Sequence, residues 1–213
     1  MPPRFELNPR LAAVVGLLAI PAFLSALTGA WDPDFFHHLA VGRAIAHGAD
    51  FARDPFVYAI EGGAGTLPSY WLGSLLLYLA NVAGGLSGPL FLVALLHVAL
   101  CTTLLLDAVG DRFSTRRLAV AATFVLLVLP ELRVRSAPRP EAFGVLFLAW
   151  TLFAVRRSEA GRSRILYAFP VLALVWSQVH VSVAMGLGVV ALHVAWTAAT
   201  ALAGRSGERG GAG

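Results

Sequence analysis

The chain contains no lysine; its sixteen basic residues are all arginine, so its positive charge persists under any physiological condition. It has one cysteine, Cys101, which excludes an intramolecular disulfide framework and leaves the redox compartment unread. Charge of either sign is scarce. Charged residues make up 13% of the chain against 58% hydrophobic ones, and the mean hydropathy is +0.74. No polar stretch is long enough for a soluble domain of ordinary size. There is also no basic stripe interleaved with stacking aromatics, so the pI near 10.0 does not argue for nucleic acid as a partner.

What is present is a succession of apolar runs, at about 11–29, 88–106, 117–130, 141–155, 165–179 and 183–203, with a weaker one at 69–84. A bilayer crossing takes about 20 apolar residues. The composition therefore predicts an all-α, polytopic transmembrane bundle of about six spanning helices, and membrane lipids as its surroundings. The first run is too long for a signal-peptide core and reads as a retained helix. Cys101 falls inside an apolar run and reads as a packed or lipid-facing side chain.

Arginine placement sets the orientation. If 69–84 crosses, the clusters Arg112/Arg116/Arg117 and Arg156/Arg157/Arg162/Arg164 lie opposite the amino terminus with Arg4 and Arg10. If it lies in the interface, eleven of the sixteen arginines fall on the cytoplasmic side, as the positive-inside bias prefers. The second arrangement predicts a multi-pass protein of the plasma membrane with a cytoplasmic amino terminus. Residues 1–203 form one transmembrane domain, 30–87 an outer loop with interfacial helices, and 204–213 a disordered glycine-rich tail. The turns around 131–140 and 177–182 then share the outer face with that loop. Tyr70, Trp71 and Tyr78 suit the headgroup region.

The outer loop opens on Asp32-Pro33-Asp34-Phe35-Phe36-His37-His38. Residues 34–48 have helical character, with Phe35, Leu39, Gly42 and Ala46 on one face and His38 and Arg43 turned away. Asp32 followed by proline reads as a helix cap. A carboxylate here also suits proton abstraction from an acceptor hydroxyl, or a divalent cation (Mg or Mn) shared between Asp32 and Asp34. The two readings are compatible, because a cap uses one acid and leaves the other free. His37 and His38, adjacent on a helix, point about 100° apart and do not suit one shared ion.

On the other outer turns, Arg139 stands before a proline at a helix start and is the best candidate to hold a phosphate in bidentate geometry. Arg133 and Arg135 read as side chains snorkelling to headgroups. His180 suits contact with phosphate or acceptor, or a hydrogen-bonded turn. His97 and His193, inside apolar runs, read as packed polar residues joining helices.

The order Asp32-Pro-Asp34-Phe-Phe-His37-His38, Gly42-Arg43, His47-Gly48, Asp54-Pro55-Phe56-Val-Tyr58 and Tyr70-Trp71-Leu72-Gly73 resembles the first outer loop of bacterial polytopic glycosyltransferases of the GT-C superfamily, of the protein O-mannosyltransferase and aminoarabinose-transferase type. Arg139-Pro140-Glu141 resembles their arginine-proline-glutamine motif, with glutamate in place of glutamine. Trp176-Ser177-Gln178-Val179-His180 resembles their asparagine-leucine-histidine turn, with Ser177-Gln178 in place of the first two residues.

The resemblance implies transfer of a sugar from a polyprenyl-phosphate donor on the non-cytoplasmic face by an inverting displacement. Asp32 or Asp34 would be the base, and His37, His38, Asp54, Arg139 and His180 would bind substrate. Some members use a divalent metal and others do not, so metal dependence does not carry over from the resemblance, and a divalent cation (Mg or Mn) at Asp32 and Asp34 stays open. Members are usually much longer, so the match implies the amino-terminal part of such an enzyme. A non-catalytic membrane subunit or lipid-binding protein keeping the fold is the alternative. A small transporter ranks last, since no charged relay runs through the spans.

Overall fold

The structure, a computed structural model, describes residues 9–27, 32–49, 69–109, 114–134, 137–161 and 163–210. Among the described residues all regular structure is helical: α1 (Pro9–Leu27), α2 (Pro33–Ala46), α3 (Trp71–Gly84), α4 (Ser87–Val109), α5 (Thr115–Val134), α6 (Glu141–Glu159), a 3-10 turn (Ser163–Ala168), α7 (Phe169–Val179) and α8 (Val183–Gly210). The all-α expectation holds.

α4 is the axis of the bundle, packed against α1, α3, α5 and α6. Leu18, Leu100, Cys101, Leu105, Ala121, Val125, Leu146 and Ala149 from α1, α4, α5 and α6 form one buried cluster, so Cys101 is a packed side chain. A second cluster of Phe143, Phe147, Trp176 and Val179 joins α6 to α7. Polar pairs add directional links: the Trp150 indole N–H donates to Thr103 Oγ1 at 3.1 Å, and His193 meets Ser158 Oγ at 3.1 Å and Glu159 at 3.5 Å. His193 thus joins α8 to α6. His97 is buried, but its Nδ1 has no partner among the described residues.

Two helices among the described residues, Ser87–Val109 and Val183–Ala203, are long and apolar enough to cross a membrane, which supports a membrane protein. Among the described residues, the expected spans at α6 and α7 do not meet that length and composition. α7 has only 11 residues and follows a 3-10 turn. α6 carries Arg156, Arg157 and Glu159 in its last turns. The weaker run forms α3, a 14-residue helix of about 21 Å. α8 continues to Gly210, past the apolar boundary at 203, because helix propagation adds a hydrogen bond for each residue fixed.

The two ends of the bundle differ in charge. α4 and α6 run in parallel, since Arg156 pairs with Asp107 at 3.0 Å and Arg157 donates to the Leu106 carbonyl at 3.3 Å, at the carboxyl ends of both helices. Arg139 and Glu141 mark the opposite end of α6, about 28 Å away for 19 residues. α1 runs back along α4, bringing Phe23 to Phe91 with ring centroids 5.5 Å apart. The chain therefore enters α2 at the end where α6 begins.

Candidate functional site

α2 begins as its sequence dictates. Asp32, in extended conformation, accepts the Asp34 backbone N–H on Oδ1 at 2.8 Å, and Pro33 occupies the first helical position. The cap and the free acid coexist. Asp32 holds the helix end, while the Asp34 side chain is 64% exposed against 24% for Asp32.

Packing of α2 on α3 corrects the predicted face. Phe35, Val41 and Gly42 are buried, Ala46 is exposed, and His38, expected to turn away, faces α3 with Nδ1 3.0 Å from Ser74 Oγ. Gly42 decides this. A Cβ there would lie 2.3 Å from the Ser74 carbonyl oxygen and 2.6 Å from Tyr78 Cβ, so only glycine lets the two backbones approach and rotates the 35/38/42 stripe inward. Arg43 remains exposed as predicted.

The same contact gives Tyr70 and Trp71 roles beyond the headgroup region. Tyr70 Oη lies 3.2 Å from His37 Nε2, and its ring meets the His38 ring edge-on at 5.0 Å. The Trp71 indole N–H donates to Gln178 Oε1 at 2.8 Å, tying the start of α3 to the end of α7.

Arg139 approaches from the start of α6. Its guanidinium hydrogen-bonds Asp32 Oδ2, lies 3.3 Å from Asp34 and 3.7 Å from Glu141. Three carboxylates surround one cation. Its buried Nε–H finds no acceptor among the described residues. The cation proposed to hold phosphate is thus already engaged by acids.

Asp34, His37, His38, Tyr70, Arg139, Pro140, Glu141 and His180 line one cleft of about 300 Å³. Burial, reinforced by the neighbouring His37, lowers the His38 pKa from 6.5 to about 4, with Asp34 acting weakly against it. Burial also lowers the His180 pKa, opposed by Glu141. Both rings are therefore neutral at pH 7. Two lining acids, Asp34 and Glu141, against one arginine already paired with Asp32 leave the cleft with excess negative charge and with proton acceptors.

No family model, no curated protein and no solved structure matches this chain.

Five of the proposed substrate and acid residues, Asp34, His37, His38, Arg139 and His180, line the cleft, with Asp32 directly behind Arg139. Asp54 lies outside the described residues, as do the side chains of Arg133 and Arg135. Sequence reading missed Tyr70 and Ser74 as site residues. Their spacing of four, which puts both on one helix face, was the available signal. Glu141, noted only as a departure from a motif, is a cleft carboxylate. Among the described residues no three His, Cys, Asp or Glu side chains are grouped to hold a metal ion, and both acids suggested as ligands face a guanidinium. The residues do not fit a resident divalent cation.

Proposed function

We propose that the protein is a multi-pass plasma-membrane glycosyltransferase of the GT-C type, or the amino-terminal part of one, with about six crossings and a cytoplasmic amino terminus. The supporting observation is convergence: the starts of α2, α3 and α6 and the turn before α8 meet in one cleft, at the end of α6 opposite the Arg156–Asp107 pair. Asp34, Glu141, His38 and His180 lie at one end of the bundle and Arg156 and Arg157 at the other, which supports the reading.

In the proposed reaction an acceptor hydroxyl oxygen attacks the anomeric carbon of a polyprenyl-phosphate sugar. The carbon–oxygen bond to phosphate breaks, the bonding pair leaves with the phosphate, and the hydroxyl proton passes to a carboxylate. Asp34 is the base, because both Asp32 oxygens are engaged, one by the Asp34 amide and one by Arg139. Arg139 orients the acids, and His37 and Tyr70 flank the acceptor.

The test is transfer from a radiolabelled polyprenyl-phosphate sugar in membranes carrying the protein. Asp34→Asn is expected to lower transfer about 100-fold at unchanged membrane abundance; undiminished transfer sinks the assignment. Engagement of Arg139 by three acids favours one second reading, a non-catalytic membrane subunit in which the cluster only braces the fold. In that case wild type and Asp34→Asn are equally inactive and co-purify the same partners. Reporter fusions after Gly110 and Gly161 should read as cytoplasmic, and an external signal at either would refute the topology.

A further inference from the structure

The turn after α7 determines more than the position of His180. His180 is extended, and its Nδ1 accepts the Ser182 backbone N–H at 3.1 Å. A ring nitrogen that accepts from an amide carries a lone pair and no proton, so a neutral ring must hold its proton on Nε2. The ring is neutral because burial lowers its pKa, against the smaller effect of Glu141.

Ser182 is itself held in place. The fully buried Trp176 donates its indole N–H to Ser182 Oγ at 2.9 Å. α6 closes on this turn at Gly144, where a Cβ would lie 2.3 Å from Ser182 Oγ. Trp176, Ser182 and Gly144 thus form a rigid seat under one edge of the imidazole. The ring lines the cleft beside Arg139, Pro140 and Glu141, and Nε2 has no hydrogen bond to another described residue.

We propose that His180 is a fixed hydrogen-bond donor to a substrate oxygen, locked in its Nε2–H tautomer by the Ser182 amide, with Ser182 and Trp176 as positioning residues. It follows that His180 is not the base of the reaction. The identity of the substrate rests on the transferase reading; the tautomer rests on the turn geometry alone.

Two measurements on the full chain in nanodiscs separate these. Nitrogen-15 spectra of histidine-labelled protein, with the His180 signals identified by their loss in His180→Gln, should show Nδ1 unprotonated and Nε2 protonated at about pH 8, where the ring is neutral. Protonated Nδ1 at that pH overturns the proposal whatever the protein catalyses.

Transfer from the radiolabelled polyprenyl-phosphate sugar then tests the donor role. His180→Gln places an amide donor near the Nε2 position, whereas His180→Asn keeps an acceptor for Ser182 but, being one methylene shorter, holds its NH2 short of that position. Glutamine is expected to retain transfer within about 3-fold of wild type, and asparagine to lose about 10-fold or more. The reverse order would show that His180 serves only the turn, and so refute the donor role. Absence of transfer in wild type refutes the transferase reading and leaves the tautomer to the spectra.

Discussion

Arg139, at the start of α6, hydrogen-bonds the Oδ2 of Asp32, the cap of α2, across 107 residues of chain. One guanidinium thereby fixes the helix that carries Asp34, His37 and His38 to the helix that carries Glu141. Removing it should leave Asp32, Asp34 and Glu141 facing one another without a counter-charge. Arg139→Gln is expected to destabilise the fold by about 1–3 kcal/mol at low salt, and the loss should shrink in about 1 M salt, which screens the repulsion among the acids. Thermal unfolding in detergent at both salt concentrations measures this; an equal deficit at both would show that charge is not the cause.

The cap and the ion pair made by Asp32 are separable. Asp32→Asn keeps a side-chain acceptor for the Asp34 amide and loses the charge, whereas Asp32→Ala loses both. The alanine variant should be less stable than the asparagine variant by about 1 kcal/mol. Faster hydrogen exchange in the first turn of α2 in alanine but not asparagine is the corresponding local signature.

Gly42→Ala should push α2 away from α3, because the new Cβ would meet the Ser74 carbonyl oxygen at 2.3 Å. Backbone cannot yield as a flexible side chain does, so a loss of about 1–3 kcal/mol is expected. Gly16→Ala, where a Cβ meets nothing within 4 Å, is the matched control and should be neutral or stabilising. Equal melting temperatures for the two variants would contradict the close approach.

His38 imposes a pH dependence of definite sign. Its pKa in the fold is about 4 against the ordinary 6.5, so the unfolded chain takes up a proton at a pH where the folded chain does not. Its contribution is complete above 6.5 and is lost as pH falls from 6.5 toward 4. The melting temperature should drop across that window. His38→Gln, which can still reach Ser74 without titrating, should flatten part of the slope, with His180 supplying the same sign.

Much of the local structure was legible in the chain. Asp32-Pro33 is a helix start for chemical reasons, an acceptor followed by a residue with no N–H to satisfy, and α2 begins there. The apolar run 88–106 became α4, and 183–203 became the apolar part of α8, because burial in hydrocarbon needs uninterrupted apolar length. Less legible was the face of α2. Periodicity placed His38 outward, but the orientation followed from the absence of a side chain at Gly42, which hydropathy does not register.

The sequence alone determined that this protein is helical, rich in apolar length, and provided with acids, an arginine and histidines between its apolar runs. These properties follow from local propensity and from transfer out of water, which act residue by residue. Tertiary structure alone decided that Arg139 meets Asp32, that Trp71 meets Gln178 and that His180 shares a cleft with His38. Those pairings depend on how helices distant in the chain approach, and approach is set by small residues and shape complementarity that no single segment contains.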